Sequence, residues 1–175
     1  VLGGARSGKS QYAERCALNA GLEVLYIATA EAGDAEMAAR IARHRERRPS
    51  EWVLVEEPFA LAHTLRTHAA PEQCLIVDCL TLWLSNLLTR GDEEAREGRF
   101  QHERAALIEV LPTLAGEIYL ISNEVGSGIV PANPLARRFV DEAGWLHQHL
   151  ARLCERVVWV VAGLAHVLKD SKDTG

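Results

Sequence analysis

The eight residues Gly3-Gly4-Ala5-Arg6-Ser7-Gly8-Lys9-Ser10 constrain this chain more than any other stretch. They match G-x-x-x-x-G-K-[ST] without a deviation, between the apolar remnant Val1-Leu2 and a helix-forming segment, the context that turns the pattern into a phosphate-binding loop, or P-loop. Glycine lets the backbone turn inward so that successive N–H groups surround phosphate oxygens, and the helix that starts there adds its positive end. Lys9 is placed to reach β- and γ-phosphates, and the Ser10 hydroxyl to coordinate Mg²⁺. A glycine-rich turn that binds nothing has no need of the Lys-Ser pair. A nucleoside triphosphate is therefore expected on Gly3 to Ser10. Such a loop normally follows a full buried strand. Only Val1 and Leu2 precede the glycines, so further residues are expected before them.

The rest of the chain alternates short apolar runs with amphipathic stretches. Glu23–Ala28, Trp52–Glu56, Cys74–Asp78, Glu117–Ser122 and Val157–Ala162 are rich in Val, Ile and Leu with little polar alternation, as expected of strands covered on both faces. Helical spacing runs over Lys9–Ala20, Asp34–Arg45, Phe59–Ala69, Leu80–Thr89, Gly98–Leu114 and Asn133–Glu155. The order predicts an α/β fold with a mostly parallel sheet and helices on both faces. Ala165–Leu168 is expected to add an edge strand, and the charged stretch Arg90–Gly98 reads as a solvated connection. No linker or repeat divides the chain, so residues 1–175 are expected to form a single P-loop nucleotide-binding catalytic domain.

Composition excludes several classes of partner. With 19 basic and 24 acidic side chains the net charge is -5, which lacks the positive field that holds nucleic acid. No apolar run is long enough to span a membrane and nothing resembles an export signal, so a cytoplasmic protein is expected. Cys16, Cys74, Cys79 and Cys154 form no C-x-x-C pair and sit in apolar or helical stretches, where thiols act as small hydrophobes in a reducing compartment.

Two further sites carry possible chemistry. Leu75-Ile76-Val77-Asp78 is a buried strand ending in a carboxylate, at the edge where ligands collect in open α/β sheets. Asp78 is expected to serve the metal; a cap on the helix starting near Leu80 is the other reading. Met37, Ile41 and His44 share one helix face, with Arg40, Arg43, Arg45, Arg47 and Arg48 around them. A histidine following an apolar stripe is more often a packed or capping residue. Against that, clustered cations suit a triphosphate, and a histidine held neutral by neighbouring positive charge is a usable nucleophile toward phosphorus. Spacing leaves both readings of His44 open. His63, His68, His102, His147, His149 and His166 show no metal-ligand spacing and read as surface or packing residues.

Taken together, GGARSGKS at Gly3–Ser10, YIATA at Tyr26–Ala30, EMAARIARHRERRP at Glu36–Pro49, the acid-tipped strand at Asp78 with CLTLWLSNLL after it, and SNEVGSGIVPANPLARRFVDEAG at Ser122–Gly144 resemble the bifunctional adenosylcobinamide kinase/adenosylcobinamide-phosphate guanylyltransferases of cobalamin biosynthesis. The resemblance covers nearly the whole chain. It implies a RecA-like P-loop fold, ATP or GTP with Mg²⁺, adenosylcobinamide and its phosphate as partners, and a homo-oligomer, a trimer. One reaction phosphorylates the aminopropanol hydroxyl of adenosylcobinamide. The other moves GMP from GTP to that phosphate through a guanylylated histidine, which falls on His44 and so reverses the reading that base rates favour. Thr29, Ala30, Arg45, Glu46, Arg47, Arg48, Glu56 and Asp78 fall on positions that contact guanine nucleotide in the family, with Ser10 and Asp78 at the metal. Asn123, Glu124 and Gly126–Pro131 follow the fifth strand at the reacting edge. One departure is that His147-Gln148 stands where many relatives carry Asn-Gln. Two competing readings are a kinase of another small hydroxyl substrate, with His44 structural, and a nucleotide switch, against which the missing N-K-x-D motif argues.

Overall fold

The computed structural model describes residues 1–31 and 49–171; the helix expected over 34–45 lies outside them. Strands β1 (Leu2–Gly3), β2 (Glu23–Ala28), β3 (Val53–Glu56), β4 (Gln73–Asp78), β5 (Glu117–Asn123), β6 (Arg156–Val161) and β7 (Leu164–Asp170) join in one sheet. The helices are α1 (Lys9–Ala20), α2 (Leu61–His68), α3 (Leu80–Thr89), α4 (Glu93–Val110) and α5 (Pro134–Leu153). The sheet order is β3-β2-β4-β5-β1-β6-β7. Every neighbouring pair is parallel except β6 with β7. This is the mostly parallel α/β arrangement read from the sequence, with the P-loop between β1 and α1.

Strand β4 explains why the sheet is sandwiched. Cys74, Leu75, Ile76 and Val77 are all fully buried, so both faces need a cover. Leu75 and Val77 pack with Leu25, Ile27 and Leu120 under Leu61, Leu65, Trp83, Leu84 and Phe100 of α2, α3 and α4. Cys74 and Ile76 pack on the other face with Tyr26, Ile121 and the Ala13 and Ala17 stripe of α1. Side chains alternate along a strand. The tips Asp78, in phase with Cys74 and Ile76, and Asn123, in phase with Ile121, therefore share the α1 face.

Element boundaries follow local chemistry. Trp52 belongs to a turn, its N–H donating to the Pro49 carbonyl at 3.2 Å, and β3 starts one residue later. Arg90–Gly98 is not a mere connection: α4 starts at Glu93, capped by the Asp92 carboxylate accepting from the Glu94 N–H. Asp92, Glu93 and Glu94 satisfy and favour the positive helix end, which outweighs the missing apolar stripe in an exposed first turn. Ala162 (φ 52°) and Gly163 (φ 79°) form the two-residue turn between β6 and β7, so Ala162 leaves the strand. On β7, Lys169 Nζ donates to the carbonyls of Ala151 (3.0 Å), Arg152 (3.2 Å) and Cys154 (2.7 Å), closing the negative end of α5. The four cysteines form no disulfide, and Cys74 and Cys79 are buried. No helix among the described residues is long and apolar enough to cross a membrane.

Candidate functional site

The loop takes its shape mainly from its backbone. A Cβ on Gly3 would meet the Val160 carbonyl oxygen and Ser7 Oγ at 2.5 Å, so only glycine fits between β6 and the loop. Arg6 (φ 56°) and Gly8 (φ 96°) take left-handed conformations that turn the chain into α1. The Gly163 N–H donates to the Ser7 carbonyl at 2.8 Å, tying the loop to the β6–β7 turn. Lys9 is 6% exposed, and its Nζ donates to the Gly4 carbonyl at 3.2 Å. Helix α1 begins with no side-chain cap and no acidic residue in its first turn. Its first N–H groups and its positive end are thus left to a ligand. Phosphate oxygens are the acceptors such an end binds.

Along the same sheet edge, in order away from the loop, lie the tips of β5, β4 and β2. Asp78 Oδ2 accepts from the Tyr26 hydroxyl at 2.6 Å, which orients the carboxylate. The N-cap of α3 is Cys79, with no side-chain cap, so the capping reading of Asp78 is not realised. Thr29 is fully buried; its Oγ1 donates to the Cys79 carbonyl (2.7 Å) and accepts from the Cys79 N–H (2.9 Å). Asn86 Nδ2 donates to the Thr29 carbonyl at 2.8 Å. Thr29 thereby fixes the end of β2 to the end of β4 and sets the place of Ala30. Glu56 is exposed at the tip of β3, opposite Ala28. Its neighbour Glu57 is engaged elsewhere, accepting from the Phe59 and Ala60 N–H groups (2.8 and 2.7 Å) at the start of α2. A hydroxyl at Ser10 and a carboxylate at Asp78 are hard oxygen donors, the set that Mg²⁺ uses when phosphates and water complete its shell. His44, Arg45, Glu46, Arg47 and Arg48 lie outside the described residues.

Past β5, Glu124 Oε1 accepts from the Gly126 N–H at 2.6 Å. Hydrogen bonds from Ser127 and the Gly126 backbone hold its carboxyl below the usual carboxylate range, so Glu124 braces this turn. Ile129 and Val130 beyond it are exposed. On the opposite sheet face, His147 Nε2 shares a 2.7 Å hydrogen bond with Ser122 Oγ, and burial pushes the imidazole pKa down. Sequence reasoning missed three supports of the site: Tyr26, Asn86, and Thr81, whose Oγ1 accepts from Asn123 Nδ2 at 3.2 Å. The signal was available for two of them: a tyrosine within EVLYIA and a lone asparagine within LTLWLSNLLT.

Loop, sheet order and carboxylate tip define a nucleotide-binding P-loop enzyme. The sequence profile of the family described as cobinamide kinase / cobinamide phosphate guanyltransferase matches residues 1–168. The chain belongs to that family, and is a bifunctional kinase and guanylyltransferase of cobalamin biosynthesis. It is 59% identical over 169 residues to the bifunctional adenosylcobalamin biosynthesis protein CobP of Pseudomonas aeruginosa, covering 97% of this chain and 95% of the relative. It is 38% identical over 178 residues to the Escherichia coli protein CobU, which carries the same description, covering 97% and 98%. Among solved structures, the RadB recombinase matches with a TM-score of 0.48 and 18% identity over 91% of this chain and 73% of that one.

Proposed function

We propose that this protein, as a single catalytic domain, phosphorylates the aminopropanol hydroxyl of adenosylcobinamide with ATP or GTP. It then transfers GMP from GTP to the new phosphate, giving adenosylcobinamide-GDP. The observation that carries the reading is the uncapped, acid-free start of α1 beneath Gly3–Ser10, with Lys9 on the loop and Asp78 at the tip of β4, beyond β5 on the same sheet edge.

In the kinase step, the loop N–H groups and Lys9 hold the β- and γ-phosphates while the alcohol oxygen attacks the γ-phosphorus and the bond to the β-phosphate breaks. Ser10 and Asp78 would hold Mg²⁺, which when bound neutralises charge on the phosphate oxygens. In the second reaction a neutral His44 nitrogen attacks the α-phosphorus of GTP, a P–N bond forms and pyrophosphate leaves. An oxygen of the cobinamide phosphate then attacks that phosphorus, the P–N bond breaks and the imidazole is restored. Thr29, Ala30, Arg45, Glu46, Arg47, Arg48 and Glu56 are assigned to the guanine nucleotide on the family pattern. The reading carries with it a cytoplasmic homo-oligomer, a trimer, whose subunit number sedimentation measures.

Incubation with α-labelled GTP tests the central step. The wild-type chain is expected to take up an acid-labile, base-stable label that His44→Ala does not. Equal labelling of the two proteins would remove the guanylyl-histidine and leave a kinase.

A further inference from the structure

At the tip of β5, Asn123 Oδ1 is buried and has no hydrogen-bond partner among the described residues. An amide oxygen left without a donor in a buried place costs on the order of a full hydrogen bond, so such an atom calls for an explanation. The rest of this side chain is firmly placed. Its Nδ2 donates to Thr81 Oγ1 at 3.2 Å, and its backbone N–H donates to the same oxygen at 3.3 Å. Thr81 Oγ1 also lies 3.1 Å from Cys79 Sγ. The carboxamide is therefore held at its nitrogen end, with the oxygen end free.

Its position in the sheet says what the oxygen faces. Asn123 pairs in register with Gly3, the first residue of the phosphate loop, and the next N–H, of Glu124, donates to the Gly3 carbonyl at 3.0 Å. On its other side β5 pairs with β4, where Ile121 stands opposite Asp78. Strand alternation puts Asn123 and Asp78 on the α1 face of the sheet. The free oxygen thus stands between the phosphate cradle and the carboxylate tip. A carboxamide oxygen only accepts hydrogen bonds, so it repels phosphate oxygens and requires an O–H or N–H.

We infer that Asn123 is a further residue of the reaction site, whose Oδ1 accepts a hydrogen bond from an O–H group brought in with the substrates, and that Thr81 is its positioning residue. This rests on the nucleotide reading of the loop. The O–H belongs either to a water carried by the metal and nucleotide or to the alcohol that attacks the γ-phosphorus.

Isothermal titration of ATP into wild-type, Asn123→Ala, Thr81→Val and the double variant, with Mg²⁺ or with EDTA, is the first arm. Steady-state kinase kinetics against the cobinamide alcohol is the second. A loss of about tenfold in ATP affinity for Asn123→Ala with Mg²⁺, absent in EDTA, assigns the O–H to water. Unchanged ATP affinity with about a tenfold loss of kcat/KM toward the alcohol assigns it to the substrate. In either case Thr81→Val shows a smaller loss in the same quantity, and the double variant is no worse than Asn123→Ala, as expected of one coupled pair. If Asn123→Ala matches wild type in both arms, Asn123 is a packing residue and the inference is overturned. A wild-type chain that binds neither ATP nor, in a repeat titration, GTP overturns the loop reading, and this inference with it.

Discussion

Helices α1 and α5 begin in opposite ways. At α5, Asn133 Oδ1 accepts from the Ala136 N–H at 3.0 Å, Pro134 fills a first-turn position that needs no donor, and Lys169 closes the far end on three carbonyls. At α1, Gly8 provides no side-chain cap and no acid stands in the first turn. The difference separates two uses of one physical element. Where the chain satisfies the orphan N–H groups itself, the helix end contributes stability. Where it leaves them open, the end is kept for an anion and stability is forgone.

Four experiments break or sharpen this contrast. Lys9→Ala removes the cation over the open end; kinase kcat/KM should fall by about a hundredfold or more. Its melting temperature without nucleotide should shift by only a few degrees, while the rise that nucleotide gives the wild type by mass action disappears. Asn133→Ala at the closed end should do the reverse, lowering unfolding free energy by about 1 kcal/mol in urea titrations with kcat/KM unchanged. An equal loss of activity in both variants would end the division of roles.

Gln11→Glu is subtler. Gln11 is exposed in the first turn of α1, so a carboxylate there should stabilise the helix by about 0.5 kcal/mol through the dipole. The same charge should weaken triphosphate affinity, measured by titration, because it competes for the positive end. Stability and affinity moving together would refute the competition.

The smallest effect concerns the buried side of α5. Burial lowers the His147 pKa, so below the unfolded-state value near 6.5 the unfolded chain binds more protons. Its contribution is therefore intact above that pH and declines as pH falls through it. His147→Asn should show a smaller drop in urea midpoint between pH 7.5 and pH 5 than wild type.

Much of this was legible in the sequence, and the exceptions have physical causes. Lys9–Ala20, Glu23–Ala28 and Leu80–Thr89 fall where expected because a loop motif, a buried aliphatic run and a dense apolar helix each mark their own ends. The start of α4 escaped because its first turn is solvated and carries no apolar stripe; its signal is Asp92 with two following acids. Asp78 was visible as a carboxylate on an aliphatic strand, but its partner Tyr26 stands 52 residues away. The orientation of Asn123 depends on Thr81, 42 residues away, and no local pattern encodes such a pair.

The bond from the Gly163 N–H to the Ser7 carbonyl makes the far hairpin part of the phosphate loop. Gly8 packs against the same turn, its absent Cβ position lying 3.2 Å from Gly163 Cα. Two segments far apart in the chain thus share one joint, so the shape of the phosphate loop and the closure of the β6–β7 hairpin are coupled. A bulkier residue in place of Gly163 or Gly8 would be felt at the phosphates although neither side chain would touch them.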